Sequence, residues 1–185
     1  MSPQRQTYRV EIAGLRRELP LFEVAPGVRI AVLNILGDVE LVEACARELA
    51  KRLQGLAFDL IVTPEAKSIP LAHALAGVMR KGYVVLRKAY KVYMGETLQS
   101  ETVSITTGRP QTLYLDEKDR QLVAGQRVVL VDDVISTGST IEGMRSLMKL
   151  AGAQVVAEAA VFTEGDPDQW KGILALGHLP VFTDR

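Results

Sequence analysis

One run restricts the fold of this chain more than any other: Val128-Val129-Leu130-Val131-Asp132-Asp133-Val134-Ile135-Ser136-Thr137-Gly138-Ser139-Thr140. Its first four residues are apolar without interruption, the pattern of a strand buried on both faces in a parallel sheet. Beyond it, Ile141, Met144, Leu147 and Met148 recur at helical spacing, which predicts a helix over Thr140 to Leu150. A strand of Arg127 to Val131 that turns almost directly into an amphipathic helix is half of a strand–helix–strand unit. The same alternation is legible elsewhere. Val28 to Leu36 begins as a strand, and Gly37-Asp38 then introduces a helix over Val39 to Leu53, with Val42, Cys45, Leu49 and Leu53 on one face and Gly55 as its stop. Leu60 to Val62 is a short apolar strand, Pro70 opens a helix that runs to Arg80, and Tyr83 to Leu86 is the next strand. Gln111 to Leu115 and Ala153 to Phe162 read as strands, and Ser104 to Thr107 as a further one. Strands alternating with helices of 10 to 15 residues predict an α/β fold, a mainly parallel sheet flanked by helices. Ligands of such sheets bind at the carboxyl ends of the strands. That rule singles out the loops after Val62, Leu86 and Val131.

The loop after Val131 carries the most specific chemistry. Two adjacent carboxylates are followed by a small, hydroxyl-rich turn with one glycine at the entry of a helix. A helix N-terminus presents unpaired N–H groups and a partial positive charge, which suit a phosphate. Ser136, Thr137, Ser139 and Thr140 add hydroxyl donors. Asp132 and Asp133 cannot serve a phosphate directly, but they can accept hydrogen bonds from a sugar diol or hold a metal. A ligand with a phosphate at one end and a diol beside it satisfies both halves. A helix cap alone would account for one acid and one hydroxyl, not for the whole set. No Gly-Lys-Ser/Thr follows and the glycines are too few, which speaks against a nucleotide P-loop.

This run resembles the signature of the type I phosphoribosyltransferases, and the resemblance extends from about Asn34 to Phe162. It implies that fold, with a small hood over the carboxyl end of the sheet, built here from about 8–36 and 163–185 around a core of 37–162, in a single domain spanning 1–185. It implies that Asp132 and Asp133 contact ribose hydroxyls and act in catalysis. Val134, Ile135, Ser136, Thr137, Gly138, Ser139 and Thr140 would complete the grip on the ribose 5-phosphate. Thr63-Pro64-Glu65-Ala66-Lys67-Ser68 resembles the diphosphate loop of the adenine and xanthine enzymes, where family members often carry a cis peptide. Glu65, Ala66, Lys67 and Ser68 would then meet the diphosphate, with Arg87 and Lys88 after the next strand and Lys91 from a lid over 89–110. The lid lacks the tyrosine-rich, glutamate-bearing motif of the adenine enzymes. Glu101 is the catalytic candidate that remains there. Magnesium would come with the diphosphate substrate, since it uses few protein ligands and several waters. Family members are commonly dimers, so a homodimer is expected.

The acceptor is less legible. Leu33-Asn34 followed by Asp38 resembles a hood segment of the bacterial xanthine enzymes, where the asparagine meets the purine. Enzymes for 6-oxopurines usually place a lysine just after the strand that ends at Phe162, and Thr163-Glu164-Gly165 stands there instead. An ionised glutamate only accepts hydrogen bonds, so Glu164 suits a 6-amino group and favours adenine over xanthine, hypoxanthine or guanine. Phe162 is placed to stack on the base. The base-binding set is therefore Leu33, Asn34, Phe162 and Glu164. A regulator that senses phosphoribosyl pyrophosphate and an orotate or uracil enzyme stay open as alternatives. The first 30 residues are too short for an independent winged helix, and Glu65-Ala66-Lys67 speaks against the pyrimidine enzymes.

Bulk properties bound the rest. The 185 residues contain 22 Lys plus Arg and 22 Asp plus Glu, so the formal charge is zero and no nucleic-acid partner is expected. Apolar residues make up 48% without any run of membrane-spanning length, and the first residues hold no signal-peptide core. A single cysteine, Cys45, forms no internal disulfide and fits a cytoplasmic protein. The two histidines, His73 and His178, have no companions for a metal site, and none is expected in the protein itself.

Overall fold

The computed structural model describes residues 5–103 and 110–183. The expected strand at Ser104 to Thr107 lies outside them. The chain opens with β1 (Thr7–Ile12), β2 (Leu15–Ala25) and β3 (Val28–Ala31), an antiparallel meander. Tyr8, Val10 and Ile12 alternate with charged residues in β1, the mark of a strand with one face on a core. The turn into β2 uses positive φ at both Ala13 and Gly14, which matches the twist of a tight hairpin. β3 ends at Ala31, five residues short of the expected Leu36. Val32 still donates to the Pro20 carbonyl (3.0 Å), but Pro20 has no N–H to continue the ladder.

The helix–strand alternation follows: α1 (Val39–Arg52), β4 (Leu60–Pro64), α2 (Ile69–Met79) and β5 (Gly82–Leu86). Asp38 caps α1 by accepting from Leu41 N–H (3.1 Å), and Pro70 stands in the first turn of α2. A 3₁₀ turn at Val92–Met94 leads to the hairpin β6 (Leu98–Val103) and β7 (Pro110–Leu115), and a short α3 (Glu117–Val123) follows. Then come β8 (Arg127–Ile135), α4 (Ser139–Leu150) and β9 (Gln154–Glu164), and after a 3₁₀ turn at Pro167–Trp170, β10 (Leu174–Leu179) and β11 (Val181–Thr183).

β10-β9-β8-β4-β5 form one parallel sheet, and β1-β2-β3-β11 a small antiparallel one. β8 shows why the sequence reads as a doubly covered strand. Val129 and Val131 pack with α1, α2 and the small sheet, whereas Val128 and Leu130 pack with α4 and the β6–β7 hairpin. Of the C-terminal segment expected in the hood, only β11 joins the small sheet. β10 extends the parallel sheet beside β9, with Leu174 opposite Ala159. The four helical residues named from the sequence, Ile141, Met144, Leu147 and Met148, are all buried beneath α4.

Candidate functional site

A cleft of about 300 Å³ opens at the carboxyl ends of β4 and β8. The small sheet walls it with Ile30, Ala31, Val32 and Leu33. The loop after β4 supplies Glu65, Ala66, Lys67 and Ser68, β5 is followed by Lys88, and β8 with its turn contributes Asp132, Asp133, Val134, Ser136 and Thr140. Glu164 closes it from the end of β9. Three loops distant in sequence thus meet where the parallel sheet ends, as the fold requires.

β8 runs to Ile135, so the two acids belong to the strand rather than to the loop after it. Asp132 pairs with Ala160 and Val134 with Phe162 of β9. Asp132 and Asp133 are 7% and 9% exposed, and the Asp133 N–H donates to Asp132 Oδ1 (2.8 Å). Burial, reinforced by the neighbouring Asp133 carboxylate, pushes the Asp132 carboxyl well above the usual carboxylate range. The turn begins with exposed Ser136 and enters α4 at Gly138, whose φ of +82° favours glycine. Thr137 and Ser139 hydroxyls lie 3.1 Å apart. A hollow of about 30 Å³ lies within this turn, lined by Ser136, Thr137, Gly138 and Thr140 among others. Ile135 borders that hollow but is itself part of the core.

The loop after β4 contains a cis peptide between Glu65 and Ala66. Its glutamate lines the cleft and pairs with the loop after β5. Glu65 accepts from Arg87 Nε (2.6 Å) and from the Lys88 N–H (2.5 Å). Burial raises the Glu65 carboxyl, but the Lys88 N–H and the Arg87 guanidinium outweigh it and hold the group below its ordinary value. Arg87, expected at the diphosphate, is turned from the cleft by this pair. It lines a neighbouring cavity of about 670 Å³ with Tyr93, Met94 and Asp116. Lys67 stays in the cleft and donates to the Leu33 carbonyl (3.2 Å), which ties the loop to the small sheet. The Ser68 hydroxyl donates to the Pro64 carbonyl (2.8 Å).

Four more expected site residues lie elsewhere. Glu101 points to solvent from β6, because strand parity turns its neighbour Ser100 inward instead. Lys91 is exposed at the 3₁₀ turn and does not line the cleft. Asn34 is exposed, with its side-chain oxygen accepting from Leu36 N–H (3.3 Å). Phe162 is core: a methyl group on Gly177 of β10 would come within 2.7 Å of its ring, so the missing side chain makes its place.

Glu164 is in the cleft as expected and 7% exposed. Burial alone pushes its carboxyl above the usual range. Trp170, not singled out in the sequence, and His178, read there only as lacking companions for a metal site, brace it. Trp170 donates its indole N–H to the Glu164 carbonyl (2.8 Å), and His178 of β10 lies 3.0 Å from Thr163 Oγ1 and 3.1 Å from the Gly165 carbonyl. The only advance signal was that Trp170 is the single tryptophan. Among the described residues no cluster of three or more His, Cys, Asp or Glu is arranged to hold a metal ion, and no helix is long and apolar enough to cross a membrane.

The sheet and its cleft define the class: an α/β protein whose strand-end loops set paired acids beside a hydroxyl-rich helix entry. The chain belongs to the phosphoribosyl transferase domain family, whose model matches residues 32–173. A probable purine biosynthesis transcriptional regulator PurR of Streptococcus pneumoniae is 30% identical over 164 residues, covering 85% of this chain and 59% of the regulator. The chain thus spans about three fifths of that relative's length. The adenine phosphoribosyltransferase of Thermosipho africanus is 30% identical over 142 residues, covering 76% of this chain and 80% of that enzyme. The crystal structure of the adenine phosphoribosyltransferase from Thermoanaerobacter pseudethanolicus superimposes with a TM-score of 0.68 at 26% identity, covering 94% of this chain and 95% of that one.

Proposed function

We propose that this protein transfers the phosphoribosyl group of 5-phosphoribosyl-1-pyrophosphate to a purine, adenine by preference, giving a nucleoside monophosphate and pyrophosphate. The observation that carries the reading is the joining, in one cleft, of Asp132 and Asp133, the Ser136–Thr140 turn and the Glu164 carboxylate. Asp132 and Asp133 accept from the ribose hydroxyls. The turn holds the 5-phosphate on main-chain N–H groups and hydroxyls. Lys67 and Lys88 face the diphosphate, while Glu65 holds Arg87 toward the neighbouring cavity. Magnesium enters with the diphosphate as part of that substrate, carried mainly on phosphate oxygens and water. When pyrophosphate leaves, the anomeric carbon becomes cationic, and the purine nitrogen attacks from the opposite face. The protein contributes chiefly position and electrostatics. Glu164 accepts from the 6-amino group. The reading carries with it a cytoplasmic homodimer, which sedimentation would test.

A second reading is favoured by one finding, the similarity to PurR regulators at 30–31% identity. In it the same cleft senses phosphoribosyl pyrophosphate without transferring it. An assay with magnesium, phosphoribosyl pyrophosphate and each base in turn separates the two. Turnover with adenine supports transfer. Binding without turnover of any base supports the sensor. Absence of binding refutes both. Asp132→Asn with Asp133→Asn should abolish sugar-substrate binding in a folded protein, and unchanged affinity would count against the diol assignment.

A further inference from the structure

Trp170 touches both ends of the cleft. Its indole N–H is bonded to the carbonyl of Glu164, on the base side. Its far ring edge lies on Gly138, in the turn assigned to the 5-phosphate: a methyl group on Gly138 would meet Cη2 at 3.1 Å and Cζ3 at 3.5 Å. The ring is half-buried against the α4 side of the core. His178 secures the flanks of Glu164. The Gly165 carbonyl only accepts, so Nε2 carries the hydrogen of that bond, and the other ring nitrogen, Nδ1, is within hydrogen-bond reach of the Thr163 hydroxyl. Glu164 therefore hangs from three fixed points: its own carbonyl on Trp170, and both neighbours on His178.

We propose that Trp170 is a positioning residue that couples the phosphate turn to the base-selecting carboxylate, with His178 as its brace. The proposal rests on the phosphoribosyl reading of the cleft. A phosphate bound in the turn fixes Gly138, Gly138 fixes the ring edge, and the ring holds the Glu164 main chain at one orientation. Occupation of the sugar-phosphate end then raises affinity for the base, and by linkage the base raises affinity for the sugar phosphate by the same factor.

The test uses the intact chain with ribose 5-phosphate and adenine as probes. Trp170 is the only tryptophan, so its emission reports on this contact alone. Emission should change along the same saturation curve that calorimetry gives for ribose 5-phosphate. Adenine should bind about five-fold tighter when ribose 5-phosphate is present. In Trp170→Phe, which lacks both the donor and the far ring carbons, ribose 5-phosphate still binds but that ratio falls to about one, while adenine KM rises about five-fold with kcat little changed. His178→Leu should raise adenine KM in the same way, and His178→Gln, which keeps a donor and an acceptor, should restore it. Should Trp170→Phe fail to fold, the wild-type emission and the histidine pair decide. Binding of ribose 5-phosphate with unchanged emission, or an equal ratio in Trp170→Phe, overturns the coupling alone. Absence of ribose 5-phosphate binding overturns the phosphoribosyl reading and the coupling with it.

Discussion

Replacing Gly138 by alanine tests the contact between the helix entry and Trp170 by its effect on stability. Gly138 has φ +82°, and an L-residue there costs about 1–2 kcal/mol. Alanine also narrows the unfolded ensemble, which offsets about 0.4–1 kcal/mol, leaving a backbone cost of about 1 kcal/mol. The new methyl would stand 3.1 Å from Trp170 Cη2. That is inside the roughly 3.5–4.0 Å optimum for carbon pairs. The ring cannot simply withdraw, because its N–H is bonded to the Glu164 carbonyl. Relief by an off-rotamer tilt adds about 1 kcal/mol, for a total near ~2 kcal/mol. Urea unfolding followed by far-ultraviolet circular dichroism, with an unchanged denaturant slope, would read this directly. In a Trp170→Phe background only the backbone cost remains, so Gly138→Ala should then cost about 1 kcal/mol. A loss below about 0.5 kcal/mol, or equal losses in both backgrounds, would refute the contact and the size assigned to it.

Three further outcomes follow from the same geometry. Glu164 sits above its ordinary value through burial, so the folded state holds its proton more tightly than the unfolded chain. This contribution to stability is fully present below the unfolded value and is lost as pH rises through the folded one. Glu164→Gln should therefore melt higher than wild type at about pH 8 and converge with it near about pH 4; parallel melting curves would count against a desolvated carboxyl. Arg17 of β2 grips Asp38, the cap of α1, through two bonds of 2.7 and 2.9 Å and reaches Glu40 as well. Arg17→Met should speed amide exchange in β2 and β3 while leaving β4 and β8 protected, and uniform exchange across the chain would contradict a local clamp. Burial pushes the Cys45 thiol up to about 12, so an alkylating reagent at about pH 8 should label it only as fast as the protein opens. Rapid stoichiometric labelling of folded protein would show the thiol accessible.

Much of this architecture was legible because it depends on local pattern. The faces of α1 and α4, the uninterrupted apolar run of β8 and the proline of α2 each announce an element without reference to any partner. The residues of Asp132 to Thr140 could be assigned together for the same reason, being contiguous. What escaped was set by pairing. Whether Glu101 or Ser100 faces inward on β6 depends on a one-residue register that only the docking of the hairpin on α4 decides. Phe162 looked free to meet a base, yet the space for its ring is made by Gly177, fifteen positions later on the adjacent strand. Arg87 looked free to meet a diphosphate, yet Glu65 already holds it. β10 lacks alternation, and α3 has seven residues, so neither produces a period long enough to read. The brace formed by Trp170 and His178 uses main-chain carbonyls as acceptors, which leave no trace in side-chain spelling.

The extension of β8 through Asp132 to Ile135 changes the timing of one cost. Ordering a residue's backbone opposes any process that requires it by about 1–2 kcal/mol. Here Asp132 and Val134 are already held in the ladder to Ala160 and Phe162. That entropy is lost once, during folding, when the hydrophobic collapse of two core layers is present to offset it. A ligand arriving later at the acidic end of β8 finds that backbone already ordered, with the exposed turn at Ser136 directly beyond the ladder.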